Sequence, residues 1–335
     1  MEGILNDLVA VTGGDGFIGS HLVEALVARG FRVRAMAQYN AFGTFGWLDA
    51  LPAKALERVE LVLGDVRDVR SVHELMRGAA AVYHLAALIA IPYSYSAPRS
   101  YLDTNATGTL NVLEAARELE TPRVVHTSTS EVYGTAQAVP ISESHPLQAQ
   151  SPYAASKIAG DKLAESYHRS FGVPVVTLRP FNTYGPRQSA RAVIPTIITQ
   201  LAAGERDLRL GLLSPTRDFN YVTDTVEAFL AVGTAPGEAV IGRVLNAGSG
   251  TEASIADVVR MIGEIMGVEP IVSEEQARLR PDDSEVMRLM SDATALREAT
   301  GWTPRVLLRD GLEATCSWFR ESSNLARYRW DRFNV

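Results

Sequence analysis

The sequence predicts an α/β protein, a doubly wound parallel sheet with a smaller C-terminal α/β substrate-binding lobe. Three observations predict it. Short apolar runs alternate with helical patterns from Leu8 to about residue 178, the mark of repeated strand–helix–strand units. The first run, Leu8–Thr12, passes directly into Gly13-Gly14-Asp15-Gly16-Phe17-Ile18-Gly19 and then into the helical spacing of Ser20–Ala28. A later run, Val124-Val125, ends in His126-Thr127-Ser128-Thr129-Ser130-Glu131-Val132-Tyr133-Gly134. Hydroxyls, a carboxylate and a phenol are expensive to bury without partners. In open α/β sheets the carboxyl ends of strands are where ligands bind.

The first strand opens the glycine loop. Gly13, Gly16 and Gly19 sit between a strand and a helix, the context that gives such a motif meaning. They permit a tight turn, close approach of backbone to a pyrophosphate, and close helix–strand packing. The helix start at Phe17 and Ile18 offers N–H groups to the anion. Two residues separate the first two glycines, one more than in the commonest dinucleotide fingerprint.

The second strand, Phe31–Met36, runs on into Ala37-Gln38-Tyr39-Asn40. An acidic residue often stands here for the adenosine ribose, and none does in this chain. Arg34, Gln38, Tyr39 and Asn40 are candidates to accept a 2′-phosphate, which tilts the expectation toward NADP. The alternative is that Gln38 or Asn40 hydrogen-bonds the ribose of NAD. The third strand, Val59–Leu63, leads to Gly64-Asp65-Val66-Arg67-Asp68. Asp65 and Val66 are placed for the adenine, and Asp68 for capping the next helix. The fourth strand, Ala81–His84, opens onto Leu85, Ala86 and Ala87, small enough in the main to let a flat cofactor lie on the backbone. His84 reads as a structural hydrogen-bonding group. Residues Ile89–Arg99 lack a period and read as a loop over the site. A long helix with Asn105 is expected over Tyr101–Glu118, the fifth strand over Val124–Ser128, a helix opened by Pro152 up to Phe171, and a sixth strand over Val175–Leu178.

Tyr153 and Lys157 stand four apart, so they share one face of that helix. Beyond Arg179 the alternation loosens into prolines, glycines and short pieces, where the smaller lobe is expected. Phe219–Val232 and Val244–Ala247 read as returns to the main sheet. The expected division is 1–178 plus about 216–248 for the dinucleotide-binding domain, with about 179–215 plus 249–335 for the lobe.

Composition bounds the function. The 335 residues are 46% hydrophobic, enough to bury a sizeable core. A net charge of -7 argues against a nucleic-acid partner, which wants a basic face. The one cysteine, Cys316, excludes an internal disulfide, reads as a small buried apolar residue, and suits a reducing, cytoplasmic setting. The six histidines lack metal-ligand spacing, so no metal site is expected. No run approaches the roughly 18 apolar residues of a membrane span. Met1–Val11 lacks the basic region and long apolar core of a signal peptide.

Taken together, the motifs resemble those of the extended short-chain dehydrogenase/reductases, in the branch that modifies nucleotide sugars. The resemblance rests on Thr12–Gly19, Asp65, His84–Ala87, Asn105, Ser128–Gly134, Tyr153-x3-Lys157, Arg179–Asn182, Arg217–Asp224 and Gly301-Trp302-x-Pro304, in family order over nearly the whole chain. It implies a Rossmann sheet and a tightly bound, recycled NADP or NAD, with Pro180 among the cofactor contacts. It implies that Tyr153 is the catalytic base, that Lys157 lowers the Tyr153 pKa and holds the nicotinamide ribose, and that Thr129 hydrogen-bonds the sugar 4-OH. Asn182, Arg217 and Arg280 would hold the substrate diphosphate, with Tyr93, Arg191 and Val193 also in the substrate site. It also implies a homodimer built on the helices near 101–118 and 152–171.

The fate of the oxidised sugar depends on Ser130 and Glu131. Glu131 resembles the base that takes the C5 proton in the family's 4,6-dehydratases. Ser130 stands where the dTDP-glucose dehydratases carry an aspartate that protonates the leaving 6-OH, so Glu131 would serve both steps. The Ser-Glu pair is also similar to that of UDP-glucuronate decarboxylases. Gln38–Asp49, Leu147–Tyr153 and Arg187–Pro195 are similar to UDP-N-acetylglucosamine 4,6-dehydratases of the legionaminate-pathway type. The expectation is therefore an NDP-sugar 4,6-dehydratase. A decarboxylase, a 4-epimerase and a non-catalytic cofactor-binding module are the alternatives.

Overall fold

The computed structural model describes residues 8–334, so most of the segment read for a signal peptide, residues 1–7, lies outside the described part. Seven parallel strands form the central sheet: β1 (Leu8–Thr12), β2 (Arg32–Gln38), β3 (Val59–Gly64), β4 (Ala81–His84), β5 (Val124–Thr127), β6 (Val175–Pro180) and Val244–Ala247. The spatial order is β3-β2-β1-β4-β5-β6 with Val244–Ala247 beyond β6. This is the doubly wound order, whose switch point falls between β1 and β4. Val9 lies opposite Val33 on one side and Ala81 on the other. Strands buried on both faces read as continuous apolar runs, and one apolar layer covers each face. Leu22, Leu26 and Phe229 fill one side, and Leu75, Met76, Leu113 and Ala164 the other.

Three elements depart from the sequence reading. Ile89–Arg99 is not a plain loop: it holds helices at Ile91–Ser96 and Pro98–Tyr101, each with proline in its first turn, where a missing N–H does no harm. The helix expected over Tyr101–Glu118 is interrupted by a π-helical turn at Leu102–Thr107 before it resumes at Gly108–Glu118. Such turns concentrate at functional sites, and this one carries Asn105. Of the two segments read as returning to the main sheet, Val244–Ala247 does join it, beside β6. Phe219–Tyr221 pairs instead with Asn182–Tyr184 in a separate ribbon, while the helix Val222–Thr234 that comes after it packs its Phe229 onto the main sheet.

The C-terminal region has a core of its own. Ile194, Ile197, Leu208, Val258, Ile262, Leu312 and Phe319 meet there, and the buried thiol of Cys316 lies among them. Among the described residues no helix is long and apolar enough to cross a membrane, and no cluster of side chains is arranged to hold a metal ion.

Candidate active site

The glycine loop is shaped by steric demand. Gly13 has φ +67°, and a Cβ there would lie 2.8 Å from the Ala86 nitrogen. At Gly19 a Cβ would lie 2.0 Å from the Gly13 carbonyl oxygen, so no side chain is possible. The Thr12 hydroxyl sits between β1 and β4, accepting from the Leu85 and Ala86 N–H groups at 3.0 and 3.1 Å and bonding His84 Nδ1 at 2.8 Å. His84 also meets Thr109 at 3.1 Å, which is the structural role its sequence position suggests. The helix Phe17–Ala28 starts at Gly16 with no side chain capping it. An exposed glycine, an uncapped helix start and a close-fitting strand end form the cradle a pyrophosphate requires. A dinucleotide fits these residues. The neighbouring Leu85–Ala87 segment is partly exposed beside the loop.

At the adenosine end, two groups invoked for a 2′-phosphate are engaged elsewhere. Arg34 lies opposite Glu60 in the β2–β3 register and binds its carboxylate at 2.8 Å. The Arg34 guanidinium also donates to the carbonyls of Glu74, Leu75 and Arg77. Asn40 organises its own loop, its amide donating to the Gln38 and Thr44 carbonyls and its Oδ1 accepting from the Phe42 N–H. Tyr39 is exposed. Asp65 binds Arg67 through its guanidinium and its backbone N–H, and the Arg67 bonds hold its carboxyl below the usual range. Val66 is buried beneath it, packed against Gly108.

Asn105 is not free to hold a cofactor through its side chain. Its amide donates to the Leu88 carbonyl and the Ser156 hydroxyl, both at 2.9 Å, and its Oδ1 accepts the Leu88 N–H at 2.8 Å. It fastens the segment after β4 to the helix Pro152–Phe171. That helix starts cleanly, with the Ser151 hydroxyl accepting the Ala154 N–H at 3.1 Å and Pro152 in the first turn.

Tyr153 is buried and stacks edge-on to Tyr101 with ring centroids 6.2 Å apart. Thr129 lies close enough to act on the Tyr153 phenol and also caps the short 3-10 turn Ser130–Tyr133 by accepting the Glu131 N–H at 3.2 Å. Ser130 is buried in that turn, and Glu131 is only 9% exposed. Burial raises the Tyr153 phenol well above its ordinary range; Thr129 opposes the rise and the Glu131 charge adds to it. Lys157 directs its ammonium to the Thr127 carbonyl oxygen at 2.6 Å. Its own pKa is pulled down by burial to about 8, against the field of Asp161.

The sequence reading missed the layer beneath. Asp161 continues the helix ladder from Tyr153 and Lys157 at the same four-residue spacing. His126 donates to one of its oxygens at 3.2 Å; Ser128 and Arg179 donate to the other at 2.9 and 2.7 Å. Burial alone would raise this carboxyl, but the His126 bond and the Arg179 charge outweigh it and hold it at about 2. Arg179 continues to the Tyr133 hydroxyl at 2.8 Å, and Tyr133 donates to Asn246 at 2.7 Å. Ser128, Tyr133 and the His126 Nε2 thus have the partners that burial demands, whereas His126 Nδ1 and the Thr127 hydroxyl have none among the described residues. A carboxylate one turn beyond Lys157 was the available signal for Asp161.

Of the residues assigned to substrate, Arg217 lies within reach of the Glu131 charge. Arg217 is buried and donates to Glu285 at 3.2 Å. Burial lowers its pKa, while the charges of Glu131 and Glu285 support its cation. Arg280 reaches the same Glu285 at 3.6 Å, and its Nη1 has no hydrogen-bond partner. Asn182 likewise has a buried Oδ1 without one. A buried polar atom without a protein partner is one that water, an ion or a polar ligand can satisfy. Arg191 is exposed, bonded to Ser189, and close enough to Tyr101 to act on its phenol. Tyr93 is partly exposed with its ring 6.2 Å from Tyr101, and Val193 opens the helix Val193–Ala202.

A family model described as GDP-mannose 4,6 dehydratase matches residues 10–315. The chain is 33% identical over 321 residues to a dTDP-glucose 4,6-dehydratase of Streptomyces niveus, covering 94% of this chain and 93% of that one. It is 34% identical to a UDP-glucose 4-epimerase of Mycolicibacterium smegmatis (93% and 98% covered). It is also 34% identical to a UDP-N-acetyl-alpha-D-glucosaminuronate decarboxylase of Bacillus cytotoxicus (94% and 98% covered). Among solved structures, the dTDP-glucose 4,6-dehydratase of Streptomyces venezuelae with NAD bound superposes with a TM-score of 0.84 at 29% identity, covering 96% of this chain and 99% of that one.

Proposed function

The chain belongs to the extended short-chain dehydrogenase/reductase family of nucleotide-sugar dehydratases, epimerases and decarboxylases, and from that premise we propose that it is a 4,6-dehydratase of a nucleotide-activated hexose, with UDP-N-acetylglucosamine its first candidate substrate. One observation carries the reading: Glu131, nearly buried, acts electrostatically on both Tyr153 and Arg217. An enzyme that only oxidised and reduced C4 would have no use for a second base at this place.

In this reading Tyr153, as phenolate, takes the 4-OH proton while Thr129 holds that oxygen. A dinucleotide held on the Gly13–Gly19 loop, NAD or NADP, would supply the hydride acceptor for C4 and the hydride donor for C6. The new ketone acidifies the C5 proton, which Glu131 removes. Ser130 contributes no carboxyl, so protonated Glu131 gives the proton that lets the 6-OH depart as water. The Tyr153 proton is available to restore C5, so atoms balance to the loss of one water. Asn182, Arg217 and Arg280 hold the diphosphate. Residues 1–178 plus about 216–248 carry the dinucleotide, and about 179–215 plus 249–335 carry the sugar nucleotide.

One observation favours decarboxylation as the second reading: a buried cation, Arg217, near Glu131 is what a 6-carboxylate would seek. The Glu285 carboxylate 3.2 Å from Arg217 already answers much of that charge. Incubation with UDP-N-acetylglucosamine, UDP-glucose, dTDP-glucose and UDP-glucuronate, read by mass, separates the readings. Loss of water supports dehydration, loss of carbon dioxide supports decarboxylation, and an isomer of unchanged mass supports epimerisation.

A further inference from the structure

We propose that Asp15, inside the glycine loop, is the residue that selects NAD over NADP, taking the part usually played by a carboxylate at the end of the second strand. The inference rests on the reading that this loop holds a nicotinamide dinucleotide.

The β2 end has no acidic residue of its own, but a carboxylate is present there in space. Asp15 Oδ2 accepts the backbone N–H of Gln38 at 3.2 Å, which sets the charge against the last residue of β2. The loop after β2 holds it in place. The Asp15 carbonyl accepts the Trp47 N–H at 3.1 Å. Gly46, at φ +60°, comes so near that a Cβ there would lie 3.0 Å from the Asp15 Cβ. Asp15 is partly exposed, so it is clamped without being sealed off.

The adenosine ribose of a dinucleotide on this loop lies at the end of β2. The two cofactors differ only there. A ribose 2′-OH can donate to a carboxylate, whereas a 2′-phosphate brings like charge against it. The nearby basic side chains do not offset this. Arg34 is committed to Glu60 and to three backbone carbonyls. Arg67 is committed to Asp65, with three guanidinium contacts on that carboxylate. The Asn40 amide is spent within its own loop.

The test is titration of the full-length protein, freed of endogenous dinucleotide, with NAD+ and NADP+ by calorimetry, together with mass identification of the dinucleotide released by acid from the untreated protein. The native chain should release NAD and bind NAD+ at least about tenfold more tightly than NADP+, since opposing like charges at a contact is costly. Asp15→Asn keeps an acceptor for the Gln38 N–H and removes the charge; it should narrow the ratio about tenfold, mainly by tighter NADP+ binding. Asp15→Ser should do the same. A structural role alone would weaken both cofactors equally and leave the ratio unmoved, and that result overturns the proposal. So does a native preference for NADP+. Binding of neither dinucleotide would overturn the cofactor reading as well, whereas turnover of no nucleotide sugar would leave the ratio fully readable.

Discussion

The Lys157 ammonium donates to the Thr127 carbonyl oxygen at 2.6 Å. This bond joins the helix that carries Tyr153 to the strand end from which Thr129 and Glu131 project. The two bases we propose, Tyr153 for oxidation and Glu131 for elimination, therefore sit on one frame.

Glu131→Gln keeps the shape of the turn and removes the carboxylate. Product formation should fall by about 10²–10⁴-fold, the usual contribution of a positioned acid or base. The first oxidation should persist, visible as reduced-nicotinamide absorbance on adding substrate. Dehydrated product at the native rate would sink the assignment of Glu131.

Lys157 is held at about 8 rather than 10.5 by burial. Between those values the unfolded chain binds more protons than the folded one, so this group's contribution to stability rises with pH across that window. Its burial penalty is fully present below about pH 8. Urea unfolding of the native chain and of Lys157→Met, compared from pH 7.5 to 10, should show the native protein gaining relative to the variant. A constant difference would refute the assignment.

Asp161 joins His126, Ser128 and Arg179 in one buried cluster. Asp161→Asn leaves Arg179 without its counter-charge and should destabilise by about 3–5 kcal/mol. The Asp161 carboxyl is held at about 2 against an ordinary 3.8. Its contribution is present above 3.8 and is lost as pH falls through about 2. The gap between native and variant in chemical denaturation should therefore narrow under acid. A gap that widens on acidification would contradict this sign.

Dimerisation is proposed through the helices near 101–118 and 152–171. Leu102 and Phe171, on these segments, are 47% and 53% exposed, apolar surface that a second copy would cover. Gel filtration at micromolar concentration should show a dimer, and Leu102→Asp should shift it toward monomer. A native monomer would end the proposal.

Much of the site was legible because it is local. The glycine loop announces itself by flanking periodicity, and Tyr153 and Lys157 share a face because of helix pitch alone. The polar end of β5 was legible as an anomaly, since buried hydroxyls demand partners. The partners themselves were not legible. Asp161, Arg179 and Asn246 lie 33, 46 and 113 residues from the groups they bind at Ser128 and Tyr133. Ile89–Arg99 lacks a period and so reads as a loop, yet Pro92 and Pro98 open helical turns there, because proline is harmless where no N–H bond is due.

By itself, the sequence determined the alternation of strands and helices, the glycine cradle and the shared helix face of Tyr153 and Lys157, because each arises from local spacing. The tertiary structure decided which charges are free to act. Strand register placed Glu60 opposite Arg34 and took that cation away from the cofactor. Chain folding brought Asp15 to the end of β2, where the sequence shows no acid. Charge acts across space and not along the chain, so the balance at the cofactor and substrate ends could be read only once distant segments had been brought together.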